Sequence, residues 1–170
     1  MARVLENFGN GTPGTPTRSI DEIIISVRNI SGGEIPFGAP VFLGDGGVVP
    51  FDLTNPQDFT TFLGFAVRAA TKTPDEYPTG QFNDPTSEGN IGAWRANEVV
   101  EVLIRGSIAL ATTVSGSQGS KLYIRKSDGK LTATAGASGS TVLLENCHIR
   151  NPRTGYSGTA EVVVNERNIL

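Results

Sequence analysis

Short runs of β-branched and aromatic residues recur along this chain, and glycine-rich or proline-rich turns separate them. The run at 23–29 is Ile-Ile-Ile-Ser-Val-Arg-Asn, and the Ser-Gly-Gly-Glu stretch at 31–34 ends it. No segment carries apolar residues at the 3.6-residue spacing of a substantial helix. The spacing of the turns predicts an all-β domain of about eight antiparallel strands, arranged as a β-barrel or a β-sandwich.

Two hairpins are predicted from local sequence. The Gly-Asp-Gly-Gly turn at 44–47 lies between apolar runs at 39–43 and 48–51 and supplies the positive φ angles of a tight turn. The alternating run Lys-Leu-Tyr-Ile-Arg at 121–125 is followed by Ser-Asp-Gly-Lys and a second apolar run from Leu131. Both patterns are typical of antiparallel pairs.

The longest strand-like run is at 99–111, and it is predicted to be central. Gly106 interrupts its alternation, which indicates a bulge or a bend. The run at 62–70 places Leu63, Phe65 and Val67 on one face, which predicts a half-buried strand. Runs at 142–150 and 158–164 complete the set of strands.

The length of 170 residues fits one domain of the usual size, roughly 100 to 200 residues. Breaker residues at 10–17, Asn-Gly-Thr-Pro-Gly-Thr-Pro-Thr, predict an extended N-terminal arm over 1–19. Residues 20–170 then form a single β domain, and the non-periodic segment 72–97 is predicted to be a long surface loop.

Both segments carry apolar residues that a solvated tail or loop does not need. They are Val4, Leu5 and Phe8 in the arm, and Tyr77, Phe82 and the single Trp94 in the loop. These six are candidate protein-interface residues. The alternatives are a frayed terminus for the arm, and aromatic side chains that tie the loop back onto its own domain.

Composition argues against several classes of function. The chain has 14 Lys and Arg against 17 Asp and Glu, a net charge of −3 without a basic block, so nucleic acid is not an expected partner. Arg3, Glu6 and Asn7 interrupt the apolar start before a signal-peptide core, and no apolar run approaches the roughly 20 residues of a membrane span. We expect synthesis in a cytoplasm and no membrane partner. Cys147 is the only cysteine and cannot form an internal disulfide.

Residues with catalytic or metal-binding chemistry are few. His148 is the only histidine, and it follows Cys147 in a strand-like run, so the two side chains are predicted on opposite faces. They can then neither share a metal nor act as a nucleophile and base. The glycine-rich stretches at 9–14 and 136–140 lack the Gly-Lys-Ser/Thr ending of a phosphate loop. We predict no catalytic residue, no metal site and no cofactor.

Four phrases occur in an order and spacing that resemble a known family. They are Gly-Ala-Pro-Val at 38–41 before a glycine-rich turn, Phe-Leu-Gly-Phe-Ala-Val-Arg at 62–68 leading into Thr-Lys-Thr-Pro at 71–74, Glu-Val-Val-Glu-Val-Leu-Ile-Arg-Gly-Ser-Ile at 98–108, and Lys-Leu-Tyr-Ile-Arg at 121–125 with Asp-Gly-Lys-Leu at 128–131. From about residue 38 to the C-terminus, the chain resembles the structural cement (capsid decoration) proteins of tailed bacteriophages. The arm carries no matching motif.

The resemblance implies a non-enzymatic β protein that binds the outside of a phage capsid. There it would cement neighbouring major capsid protein subunits and stabilise the head. The implied partners are the major capsid protein and further copies of the chain, as a homotrimer on local three-fold axes or as a dimer on two-fold positions. The implied location is the outer capsid surface of the virion, and the six candidate residues would contact the capsid or a neighbouring protomer.

Two other functions stay open as alternatives. A tail-tube or other virion structural protein would share the β-rich, loop-extended composition. A trimeric β-barrel nucleotide hydrolase would need an aspartate in a Gly-Asp or Ile-Asp strand motif and a glycine-rich C-terminal arm. The C-terminus at 162–170, Val-Val-Val-Asn-Glu-Arg-Asn-Ile-Leu, has no glycine, which disfavours the enzyme.

Overall fold

The computed structural model of the protein describes residues 13–54, 61–69, 92–111, 116–152 and 159–165. In these ranges the chain forms eleven β-strands and no helix, so no described helix is long and apolar enough to span a membrane. The strands are β1 Pro16–Arg28, β2 Ile35–Pro36, β3 Pro40–Gly44, β4 Gly47–Pro50, β5 Phe62–Ala66, β6 Ala93–Trp94, β7 Val99–Ala111, β8 Lys121–Arg125, β9 Leu131–Thr132, β10 Thr141–Asn151 and β11 Thr159–Val164.

Nine of these strands form one antiparallel sheet that curls into a half-barrel. The order is β4-β3-β5-β7-β11-β10-β8-β9, and β1 pairs with β7. The strands β2 and β6 form a separate two-stranded sheet, in which Ile35 pairs with Trp94. The prediction of an all-β, antiparallel fold is confirmed.

Both predicted hairpins form. In the first, β3 pairs with β4, and Gly46 in the turn has a φ of 86°, in the left-handed region that glycine adopts without strain. In the second, β8 pairs with β9, and Gly129 in the turn has a φ of 68°. A 2.6 Å ion pair between Arg125 and Asp128 spans this second turn. Local turn chemistry therefore determines the register of both pairs.

Two hydrophobic cores lie on opposite faces of the sheet section formed by β3, β5 and β7. The first core also receives side chains from β8, β10 and β11, and the second receives them from β1, β2 and β6. The largest fully buried side chains of the first core are Phe42, Phe65, Leu103, Ile108, Leu110, Leu122, Ile124, Leu144 and Ile149. Those of the second core are Ile35, Phe37 and Leu63.

The strand β7 is central, because it pairs with β1, β5 and β11. Its apolar residues at 100, 102 and 104 lie in the second core, whereas Ile108 and Leu110 lie in the first. Strict alternation would keep all five on one face, so the strand changes faces between them. It does so beside Gly106, whose φ is 122°, where the register with β1 is irregular. The predicted bulge is confirmed.

The strand β5 differs from its prediction. All five of its residues are buried, and Leu63 lies in the second core while Phe65 and Val67 lie in the first. The strand β3 pairs with residues 62, 64 and 65 but skips Leu63, so this bulge breaks the alternation. The prediction of one shared face was wrong. The strand is not half-buried, because a core lies on each side of it.

The strands β1 and β4 approach each other just after β1 ends. A parallel bridge joins Asn29 to Val48, and the N–H of Ile30 donates to the carbonyl of Val48 at 3.0 Å. Asn29 is completely buried. Its side-chain amide hydrogen-bonds to three residues in neighbouring turns. The backbone contacts of Asn29 and Ile30 with Val48 connect β1 and β4, the two ends of the sheet section that surrounds the second core.

The predicted domain division is described only in part. Residues 1–12 of the arm and 70–91 around the predicted surface loop lie outside the described ranges. Within the described part, β1 begins at Pro16, inside the segment assigned to the arm, and β6 lies inside the segment 72–97. The division itself stays a prediction.

Candidate protein interface

Five of the six candidate interface residues lie outside the residues that the structure describes. They are Val4, Leu5, Phe8, Tyr77 and Phe82. Their contacts with a capsid or a neighbouring protomer stay predictions. Trp94 is described, on β6.

Trp94 packs inside the chain's own second core. It is 9% exposed, and its ring meets the ring of Phe37 edge to face, with centroids 5.9 Å apart. Its indole N–H donates to the carbonyl of Val67 at 2.9 Å. A nearly buried indole whose donor is already bonded has little surface left for a partner protein. A contact of Trp94 with another subunit stays a prediction that the described packing does not favour.

The segment 13–17, which we call the arm root, is attached to the domain by backbone hydrogen bonds. The N–H of Gly14 donates to the carbonyl of Ala109 at 2.8 Å, and its carbonyl accepts from the N–H of Arg68 at 2.8 Å. The N–H of Ala109 donates to the carbonyl of Thr15 at 2.9 Å. The arm root is therefore held from two sides, by β7 and by the segment that follows β5.

Only glycine fits at position 14. Its φ is +80°, and a Cβ there would lie 2.9 Å from the backbone nitrogen of Gly38 and 2.9 Å from Cβ of Phe37. Contacts this short do not occur between real side chains, so any larger residue must displace backbone. The arm root thus occupies a slot that fits its backbone closely.

A side-chain hydrogen bond attaches the arm root to β11. Glu161 is buried, and its carboxylate accepts from the hydroxyl of Thr17 at 2.9 Å. A buried carboxylate needs such donors, because desolvation of the charge is costly. Sequence reasoning missed Gly14, Thr17 and Glu161, since the Gly-Thr-Pro pattern indicates only a break in regular structure and its partners are distant along the chain.

Cys147 and His148 lie on opposite faces of β10, as predicted. Cys147 is buried in the first core, and this burial raises the pKa of its thiol. A thiol with a raised pKa forms little thiolate and is a poor nucleophile. On the other face, Nδ1 of His148 lies 2.9 Å from Nδ2 of Asn165. The two side chains cannot act together on a substrate.

The described ranges contain no group of three or more His, Cys, Asp or Glu side chains that could hold a metal ion. A shallow depression beside the β8–β9 turn is lined by Arg125, Lys126 and small Ser, Thr, Ala and Gly residues. It lacks a carboxylate or histidine that could act as a general base.

Comparison with known proteins identifies the family. A family model described as "Structural cement protein (E217 gp24/Pam3 gp6)" matches residues 2–165. A solved chain from "The capsid of Myoviridae Phage XM1" shares the fold, with a TM-score of 0.70 at 18% sequence identity over 98% of this chain and 99% of that chain. No curated protein sequence matches the chain.

The family match begins at residue 2 and so includes the arm, for which the sequence phrases offered no motif. A family of structural cement proteins has a structural role in the virion, and its members are not enzymes. Because the match spans nearly the whole length, the chain belongs to the phage structural cement protein family.

Proposed function

We propose that this protein binds the outside of an assembled phage capsid and cements neighbouring major capsid protein subunits, which stabilises the head. The observation that carries the proposal is the family match over residues 2–165. The name of the family describes the role, and the partner, the outer surface and the stabilisation are the finer statements that we propose for this chain.

The packing of the described domain supports this role. A cement transmits force between subunits, so its body must not deform. Here β5 and β7 lie between two cores, and the buried Asn29 connects β1 to β4. Interiors packed on both sides of a sheet resist deformation because core side chains have few alternative arrangements.

The attachment of the arm root supports a strap-like use of residues 1–12. Gly14 and Thr15 are hydrogen-bonded to β7 at a fixed place. An extended chain reaches about 3.3 to 3.6 Å per residue, so twelve residues can bridge about 40 Å. In this proposal Val4, Leu5 and Phe8 insert between neighbouring capsid subunits. The arm root then links the inserted arm mechanically to the domain.

The proposed assembly is a homotrimer on local three-fold axes of the capsid. A dimer on two-fold positions is the alternative, and both are closed, symmetric arrangements that a capsid lattice offers. Light scattering on the purified protein measures the mass and distinguishes the two.

Cosedimentation with undecorated capsids tests the function. We expect saturable binding of the full-length protein and a higher temperature of particle disruption. A variant that lacks residues 2–12 retains Gly14 and Thr17, so its domain should melt as the full chain does while capsid binding and particle heat resistance fall. Failure of the full-length protein to pellet with capsids would refute the proposal. If the variant that lacks residues 2–12 binds capsids as tightly as the full-length protein, the proposed role of the arm is refuted.

A further inference from the structure

The side chains on the outward face of β8 and β10 do not belong to either hydrophobic core. Leu122, Ile124, Leu144, Cys147 and Ile149 of these strands fill the first core. The residues between them therefore point outward. We call this surface the basic face; its members are Lys121, Tyr123, Arg125, Leu143, Glu145, His148 and Arg150.

Charge is distributed unequally between this part of the protein and the rest. Residues 116–152 contain five Lys and Arg but two Asp and Glu. The whole chain contains 14 and 17, so the remainder contains nine and fifteen. Arg125 is paired with Asp128. Lys121 and Arg150 make no salt bridge to a carboxylate within the described ranges. The basic face itself carries Lys121, Arg125 and Arg150 against one carboxylate, Glu145, and it lies in the cationic segment of an acidic protein.

The centre of the basic face is apolar. Leu143 pairs across the strands with Tyr123, and Leu143 is 37% exposed. On the next row, His148 pairs with Lys121 on one side and with Val163 on the other. An apolar centre with a charged rim is the usual arrangement of a protein interface, because the centre gains from burial while the rim stays near water.

We propose that the basic face docks on an acidic protein surface, and this rests on the proposed function in taking that surface to be the capsid. Charge complementarity carries the proposal, since the segment 116–152 has three more basic than acidic residues and both Lys121 and Arg150 are exposed near Tyr123 and Leu143. Nucleic acid fits less well, because the acidic remainder of the chain repels phosphates and the face has one aromatic side chain to stack on a base.

Charge-reversal variants test the proposal. We expect Lys121→Glu and Arg150→Glu each to lower affinity for undecorated capsids about tenfold at low salt, and less at high salt because ions screen exposed charges. Arg28→Glu is the matched control, since Arg28 is exposed on β1, which pairs with β7 and with none of β8 to β11, and the side-chain bond that it loses, to Asn97, is exposed and far from the basic face in the sheet order. Its affinity should stay within about twofold of the parent. Leu143→Ser should weaken binding about fivefold at every salt concentration, because the lost contact is apolar.

Each outcome decides the question. Circular dichroism should be unchanged, because all four side chains are exposed. For the same reason the free energy of unfolding should stay within about 0.5 kcal/mol of the parent, which is about a twofold change in the unfolding equilibrium constant. If Lys121→Glu and Arg150→Glu bind capsids with the same affinity as the Arg28→Glu control, the proposal that the basic face docks on the capsid is overturned. The proposed cement function is not affected by that result. If the parent binds no capsid, a Glu-Leu repeat peptide and a 20-nucleotide single-stranded DNA serve as probes. Peptide binding that is lost in Lys121→Glu supports the face, whereas no peptide binding, or DNA binding lost in the same variant, overturns the proposal.

Discussion

The buried Asn29 offers a sharp test of how much one satisfied side-chain amide contributes to the stability of the domain. Its Nδ2 donates to the carbonyls of Gly33 at 2.8 Å and Arg95 at 3.0 Å. Its Oδ1 accepts from the backbone N–H of Ser31 at 3.0 Å and from the Ser31 hydroxyl at 2.7 Å. The amide thus uses both of its N–H groups and both lone pairs of its oxygen. The substitution Asn29→Asp changes one atom and removes both donors.

The cost follows from the bonds that are lost. Each polar group left without its partner in a buried site costs roughly 1 to 3 kcal/mol, so two carbonyls together cost about 4 kcal/mol. This is a large part of the 5 to 15 kcal/mol typical of a domain. Burial also raises the pKa of the new carboxyl. Because the pKa of this carboxyl is higher in the folded than in the unfolded state, the loss of stability is smallest below the unfolded-state pKa, about 3.9. The loss grows as the pH rises from there and is complete above the folded-state pKa.

Denaturant unfolding of the parent and Asn29→Asp at pH 4.5 and pH 8 measures both effects. Fluorescence of the buried Trp94 and far-ultraviolet circular dichroism report on unfolding, and the protomer concentration is held constant. We expect a loss of about 4 kcal/mol at pH 8 and a smaller loss at pH 4.5. The same amide-to-carboxylate change at the exposed Gln118, Gln118→Glu, is the control, with an expected effect within about 0.5 kcal/mol. A loss at Asn29 below about 1 kcal/mol, or an equal loss at both pH values, would refute the reasoning.

Three further predictions concern stability. Gly14→Ala should lower the free energy of unfolding by about 2 to 3 kcal/mol. The control Gly46→Ala should lower it by about 1 kcal/mol, because its added Cβ would meet nothing within 4 Å. Equal losses in thermal melts of the two variants would contradict a close fit around Gly14. Trp94→Ala should cost about 3 to 5 kcal/mol of domain stability. An unchanged melting temperature with a lower oligomer mass would instead show that Trp94 is an interface residue. Burial raises the pKa of Glu22, so Glu22→Gln should gain stability over the parent only as pH rises above about 4.5, and an equal difference in melting temperature at pH 3 and pH 7 would contradict this.

The hairpins were predictable because their information is local. A turn that needs a positive φ angle selects glycine, and Gly46 and Gly129 each lie between alternating runs that can pair only one way. The bulge beside Gly106 was visible for the same reason, since glycine interrupts an otherwise regular alternation. These signals need no knowledge of what packs on the strand.

The faces of β5 were not predictable from its own sequence. Alternation assigns one face only while the pairing is regular, and the bulge at Leu63 depends on how β3 aligns beside it. Gly64 shows the same dependence, because a Cβ there would clash with the backbone carbonyl of Leu103 on β7. The sequence shows a glycine in a strand, and only the neighbouring strand explains it.

For the candidate interface, the sequence by itself determined the class of protein and the placement of Cys147 and His148 on opposite faces of a strand, whereas its six contact residues stay a prediction. The tertiary structure decided where Trp94 lies, what holds the arm root, and that a basic face exists. The physical reason is separation along the chain. The bond between Thr17 and Glu161 joins residues 144 positions apart, and Lys121 meets His148 only because β8 pairs with β10. Contacts of this kind arise from packing, which turn and alternation patterns do not encode.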